Sequence, residues 1–167
     1  VWLQAKFTET EWHLYRKLPA AESLKTSSVG RIFDAVASLL GLADKVSYEG
    51  EAALLLEDLA RGYCKQFGFA WAKEECYDII SPQNPAIINT KNLFRQIIAD
   101  LQTDQEKAYI AAKFHGALVY AIGQMADHLH LQKIAFSGGV FQNTLLLDMM
   151  QHHLAPDYQL FFHRQLS

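Results

Sequence analysis

Lys133-Ile134-Ala135-Phe136-Ser137-Gly138-Gly139-Val140-Phe141-Gln142-Asn143 is the stretch on which the fold turns. Ile134 to Phe136 has the length and apolar character of a buried strand. Ser137-Gly138-Gly139 breaks it, and Asn143 starts a periodic helix reaching Leu154. Two glycines between a strand and a helix let a ligand reach the backbone. The N–H groups at the start of the helix favour anions there. The segment therefore predicts a phosphate or nucleotide loop. Pro156 ends the helix, and Tyr158 to His163 reads as a second strand. Residues 132–163 thus predict one β-α-β unit with a parallel pair.

Outward from this unit the chain is mostly helical. Thr8 to Lys17 predicts a short helix with Thr8 or Thr10 as N-cap, stopped by Pro19. Thr26-Ser27-Ser28 precedes Val29, Ile32, Phe33, Val36, Ala37, Leu39 and Leu40 at helical spacing, with Gly41 as the stop. A further helix is expected from Tyr48 or Glu49 to Tyr63, with Gly50 in its first turn. Cys76–Ile80 and Ala86–Ile88 flank a turn with two prolines and suggest a small hairpin or a pair of edge segments. Thr90 is expected to cap a helix over 92–102, and Thr103 or Asp104 the longest one, ending near His130. The fold class is helix-rich α/β. A lone parallel pair cannot make a sheet covered on both faces, so further strands are expected from elsewhere.

Composition narrows the function. The 167 residues make one domain or one large half of a domain, with half of them hydrophobic and 12% aromatic. A formal net charge of -3 gives no basic footprint for nucleic acid. No run of about 18 apolar residues predicts a membrane span, and the start shows no basic region leading into an apolar one. Two cysteines, Cys64 and Cys76, do not make a disulfide framework and suit neutral thiols in a reducing cytoplasm. The chain lacks an initiator Met and stops just after the last strand, as a piece of a longer protein would.

Seven histidines raise the question of a metal. His128 and His130 do not share a helix face, His152 and His153 diverge, and His13, His115 and His163 stand alone. No H-x-x-x-H pair is present, so solvated or half-buried histidines are expected. Glu49, Glu51, Glu74 and Glu75 are expected to face solvent. Arg31 and Asp34, three apart, could form a surface ion pair. Gly30 is unusual, because a glycine early in a helix costs up to about 1 kcal/mol against alanine. Gly30, Gly50 and the pair Gly138-Gly139 would form a pocket if they converge.

Three segments taken in order carry a resemblance. TSSVGRIFDAVASLLGL, VSYEGEAALLLEDLA and FSGGVFQNTLLLDMM together resemble the C-terminal part of the HypF carbamoyltransferases, a family of hydrogenase maturation factors. YQLFFHRQLS resembles the strand before that family's last motif. The resemblance runs from about Leu24 to Ser167, with no detailed match over 1–23; it divides the rest into a helical 24–130 and a β-α-β 131–163. It implies part of an actin-like ATPase fold, related to TsaD and the O-carbamoyltransferases. It also implies chemistry: carbamoyl phosphate is hydrolysed, ATP adenylates the carbamate, and the carbamoyl group passes to the C-terminal cysteine of HypE, where dehydration yields a cyanide ligand.

By the same resemblance, Gly30 and Asp34 match a nucleotide-contacting G-x-x-x-D, with the carboxylate accepting from ribose hydroxyls. Gly138 and Gly139 would admit the nucleotide, and Asn143 would bond its base or sugar. Glu49 and Gly50 would border the pocket. Arg31 stands where TsaD-type sequences usually have Glu, which favours HypF. The family's metal-binding histidines and aspartate fall outside this chain, so a metal is expected only in the full-length domain. The chain is then one wall of a nucleotide site, inactive alone, and its exposed strand edges would favour dimerisation. The competing readings are a TsaD-like or O-carbamoyltransferase fragment, and a non-catalytic helical interaction domain in which the glycines serve packing.

Overall fold

The computed structural model describes residues 4–17, 27–82 and 84–162. The closing residues 163–167, Pro19, Thr26 and Gln83 lie outside them. A single 3-10 turn, Gln4–Lys6, leads into α1 (Glu9–Lys17). Thr8 and Glu11 form a reciprocal capping box: the Thr8 N–H donates to Glu11 Oε2 at 2.9 Å, and the Glu11 N–H to Thr8 Oγ1 at 3.3 Å.

α2 (Val29–Leu39) and α3 (Glu51–Phe67) pack against each other, and α3 lies along the central helix α6 (Lys107–His128). Short α4 (Ala72–Glu75), α5 (Thr90–Gln102) and α7 (Thr144–His153) also pack on α6. Surrounded in this way, α6 buries Ile110, Ala111, Phe114, Ala117, Leu118 and Ala121 among others. The Phe33 ring meets the Phe114 ring edge-on at 4.8 Å, with both side chains wholly buried. Burying an aromatic or aliphatic side chain of this size contributes about 1.5–3 kcal/mol.

β1 (Ile80–Ser81) and β2 (Asn84–Ile88) form an antiparallel hairpin, but of the expected first segment Cys76–Ile80 only Ile80 is strand, and the second starts at Asn84 rather than Ala86. β3 (Lys133–Phe136) and β4 (Gln159–Phe162) pair in parallel, with Ile134 opposite Leu160 and Phe136 opposite Phe162. One face of this pair, carrying Ile134, Phe136, Leu160 and Phe162, is turned to the core, and Phe161 lies on the other. The β3-α7-β4 unit is therefore present as the sequence indicates.

The stop of α2 is as expected, a Schellman motif: Gly41 adopts φ +73°, and the Leu42 N–H reaches the Ala37 carbonyl at 2.9 Å. Several other boundaries differ from expectation, each for a local reason. α5 closes the same way as α2, with Asp104 at φ +54° and the Gln105 N–H on the Asp100 carbonyl at 3.0 Å. Thr103 and Asp104 thus terminate α5, and Glu106 takes the N-cap position of α6. α5 is capped by Asn89, whose Oδ1 accepts from the Asn92 N–H at 3.0 Å, so Thr90 is already helical. Gly50 lies outside α3, in its N-cap position, at φ +90°. Asn143 is likewise an N-cap, since a 3-10 turn over Gly139–Gln142 delays α7 to Thr144.

Candidate functional site

The glycine turn lines a pocket. Gly138 has φ +106°, a left-handed conformation that side chains rarely adopt. No heavy atom lies within 4 Å of where a Cβ would stand on Gly138 or Gly139. The open space beside them belongs to a cavity of about 270 Å³, near the lower limit for a small-molecule site. Val29 of α2, Leu118, Ile122 and Met125 of α6, and Phe141 close it on the remaining sides. The lining is apolar and carries no ionisable side chain, so it suits a flat, uncharged group better than a phosphate.

The N-terminus of α7 is already occupied. Glu57, on α3, is almost fully buried and places Oε1 at this helix start. It accepts from Thr144 Oγ1 at 2.6 Å, from the Leu145 N–H at 3.0 Å and from Arg61 Nη2 at 2.9 Å. Arg61 also donates to Thr144 Oγ1 at 2.5 Å and to Asp148 at 3.2 Å. Burial pushes the Glu57 carboxyl up, but the bonds from Thr144, Arg61 and Leu145 outweigh it and hold it below the ordinary carboxylate range. The positive end of the helix dipole thus faces an internal carboxylate. This corrects the expectation that the start of the helix offers free N–H groups to an anion.

Asn143 is equally committed. Its Oδ1 accepts from the Leu146 N–H at 2.8 Å, and its Nδ2 donates to His115 Nε2 at 3.0 Å. His115 Nδ1 in turn donates to the Ala111 carbonyl at 2.8 Å. These partners require a neutral imidazole with its proton on Nδ1. Full burial pushes the His115 pKa down to about 4. His115 is therefore neither solvated nor half-buried, as expected from sequence, but a wholly buried link from α6 to the glycine loop. His153 is half-buried, with its Nδ1 on the Tyr120 hydroxyl at 3.0 Å.

The other candidates take distinct places. Gly30 and Asp34 share a face of α2, one turn apart, and Gly30 follows the pocket residue Val29. Asp34 Oδ2 accepts from Arg31 Nη1 at 3.1 Å in the anticipated ion pair, so a ribose would share or displace this partner. Glu49 and Gly50 do not line the cavity. A Cβ on Gly50 would meet nothing within 4 Å, and one on Gly30 only Ser28 Oγ at 3.5 Å. None of these glycines is required by packing, contrary to the helical-interaction reading. Gly116 and Gly123, both on α6, are packing glycines: a Cβ on Gly116 would stand 3.3 Å from those of Ala72 and Cys76, and one on Gly123 3.1 Å from Leu154 Cδ2. Glu57 was missed because a single Glu in an apolar helix reads as its solvent face; its position two turns after Gly50 was the available signal. Burial pushes both thiols, Cys64 and Cys76, up to about 11. Among the described residues no cluster of three metal-ligating side chains occurs, and no helix is long and apolar enough to cross a membrane.

A parallel pair, a glycine turn and a capped helix packed on a long central helix define a helix-rich α/β subdomain with an open glycine turn. Residues 2–167 match the family model described as "Carbamoyltransferase, Kae1-like Domain, second subdomain". The chain belongs to the carbamoyltransferase HypF family. It is 34% identical over 125 residues to carbamoyltransferase HypF of Synechocystis sp., covering 73% of this chain and 15% of that protein. It is also 34% identical over 137 residues to a HypF homolog of Cupriavidus necator, covering 78% and 34%. A crystal structure of full-length HypF in a phosphate- and nucleotide-bound form superposes with TM-score 0.76 at 29% identity, over 95% of this chain and 25% of that one. T. kodakarensis HypF shares the fold, with TM-score 0.69 at 24% identity. The chain thus spans between 15% and 34% of the length of these two curated relatives.

Proposed function

We propose that the chain forms one wall of the nucleotide site of an ATP-dependent carbamoyltransferase. In this reading the complete enzyme takes carbamoyl phosphate and ATP, forms carbamoyl-adenylate, and transfers the carbamoyl group to the C-terminal cysteine of HypE during hydrogenase maturation in the cytoplasm. The observation that carries it is the open glycine turn, whose Cβ positions at Gly138 and Gly139 face empty space beside an apolar cavity. Such a cavity accepts the faces of a base, and the turn brings backbone within contact of the nucleoside. Gly30 and Asp34, on the adjoining helix, supply a sugar-facing edge. The nucleotide-bound form of a HypF with the same fold supports the same assignment.

The division of labour follows from the charges. With Glu57 at the α7 N-terminus and no cation on the cavity lining, the phosphates and any divalent metal are held by other parts of the enzyme. Alone, the chain binds nucleotide weakly and does not turn over. The test is carbamoyl-phosphate-dependent ATP–pyrophosphate exchange by the full-length enzyme carrying Asp34→Ala or Gly139→Val. Both variants should fold and lose exchange. Full activity in both would refute the site, and exchange by the isolated chain at the full enzyme's rate would refute its role as one wall only.

A further inference from the structure

The glycine turn is not held in place by packing at its apex, because the Cβ directions of Gly138 and Gly139 are empty. Its conformation is fixed from the ends. On the strand side the Phe136 ring meets the Phe141 ring at 5.0 Å. Within the turn the Phe141 N–H donates to the Gly138 carbonyl at 3.2 Å, and on the helix side the side-chain anchors from Asn143, His115, Glu57 and Arg61 fall on residues 143–146, the first after the 3-10 turn. Two of these anchors come from a different helix, α3, through one carboxylate oxygen.

That oxygen belongs to Glu57. It neutralises Arg61, orders the Thr144 hydroxyl and accepts the Leu145 N–H, so three groups on two helices converge on it. Arg61 then reaches Asp148, one turn further along α7, and completes a clamp from α3 onto α7. A buried carboxylate would be costly to retain for stability alone, because an apolar pair of similar volume is often as good. A carboxylate at a helix N-terminus that accepts from groups on two helices does, however, fix the register of the segment it holds.

We propose that Glu57 is a positioning residue for nucleotide binding: it sets the distance and tilt of the Gly138–Gly139 turn by clamping the start of α7 to α3. This rests on the assignment of the glycine turn to the nucleotide. It also gives the VSYEGEAALLLEDLA segment a task that Glu49 and Gly50 do not carry at the cavity, since Glu57 lies two turns on, within the helix that these two residues precede. Glu57 does not line the cavity. Its effect passes through Thr144, Leu145 and the backbone of the 3-10 turn.

The test compares Glu57→Gln, Glu57→Ala and Thr144→Val in the full-length enzyme, reading KM for ATP and for carbamoyl phosphate in the exchange assay alongside melting temperature. Gln keeps an acceptor for the Leu145 N–H and loses the charge on Arg61. The expected result is an ATP KM raised about tenfold in the Ala variant and about threefold in the Gln and Thr144→Val variants, with the KM for carbamoyl phosphate unchanged. A residue that only stabilised the fold would lower the melting temperature and leave the ATP KM of the folded enzyme alone. Should the Ala variant not fold, the Gln and Thr144→Val variants decide. An ATP KM unchanged in both overturns the proposal, as does an equal rise in both KM values. Gly139→Val separates the two levels. If it loses exchange while the Glu57 variants keep the native ATP KM, only the clamp fails; if it keeps exchange with the native ATP KM, the nucleotide assignment fails and the clamp with it.

Discussion

Lowering the pH should weaken the protein through His115 before its carboxylates protonate. In the folded chain the imidazole is fully buried, neutral and held near pKa 4, against 6.5 for an exposed histidine. The unfolded chain therefore binds a proton between these values that the folded chain refuses, so stability falls as the pH drops through 6.5 and the loss is complete below about 4. Linkage over this interval costs about 2 kcal/mol between pH 7 and pH 5, and about 3 kcal/mol by pH 4. Against a typical total of about 5–15 kcal/mol this is a large share. His153, also shifted down by burial and by His152, adds in the same direction. The assay is urea unfolding at pH 7 and pH 5 for the native chain and for His115→Gln. The variant starts lower, because Asn143 Nδ2 and the Ala111 carbonyl lose a matched partner, but it lacks the His115 part of the decline. Parallel pH profiles for the two proteins would refute the assignment of a buried neutral imidazole.

Other consequences follow from the same contacts. Asn143→Asp keeps the cap on Leu146 but turns a carboxylate oxygen toward His115 Nε2, so the His115 pKa should rise from about 4, as followed by NMR titration of its ring protons. Gly62→Ala, exposed in mid-α3 with nothing within 4 Å of its Cβ, should stabilise by up to about 1 kcal/mol in urea unfolding. Gly116→Ala on α6 brings a Cβ to 3.3 Å from Ala72 and Cys76, and should destabilise by about 1 kcal/mol once its helix propensity gain is offset by overpacking. Equal signs for the two glycines would contradict the packing described.

The β-α-β unit, the hairpin and every major helix were legible in the sequence, because each rests on periodicity and on Gly or Pro punctuation that act locally. Boundaries were less so. Asp104 and Asn89 stop and start helices through left-handed and capping geometries that several polar residues can adopt, and sequence alone does not choose among them. The expected condition, convergence of Gly30, Gly50 and the Gly138-Gly139 turn, is not met as stated: the turn meets the start of α2 at Val29, while Gly30 and Gly50 do not line the cavity. Glu57 and His115 were not legible. Each is a polar residue on an apolar helix whose partner lies 28 or more residues away, and only the packing of α3, α6 and α7 brings them to one helix start. Asn143 was singled out for its motif, yet its side-chain bonds are internal, to Leu146 and His115.

Whether a nucleoside contacts this turn is decided most directly by the structure of the full-length enzyme with a non-hydrolysable ATP analogue. The base should lie in the cavity between α2 and α6, against the backbone of Gly138 and Gly139, with the phosphates directed away from Glu57. An analogue bound elsewhere, with this cavity empty, would contradict it.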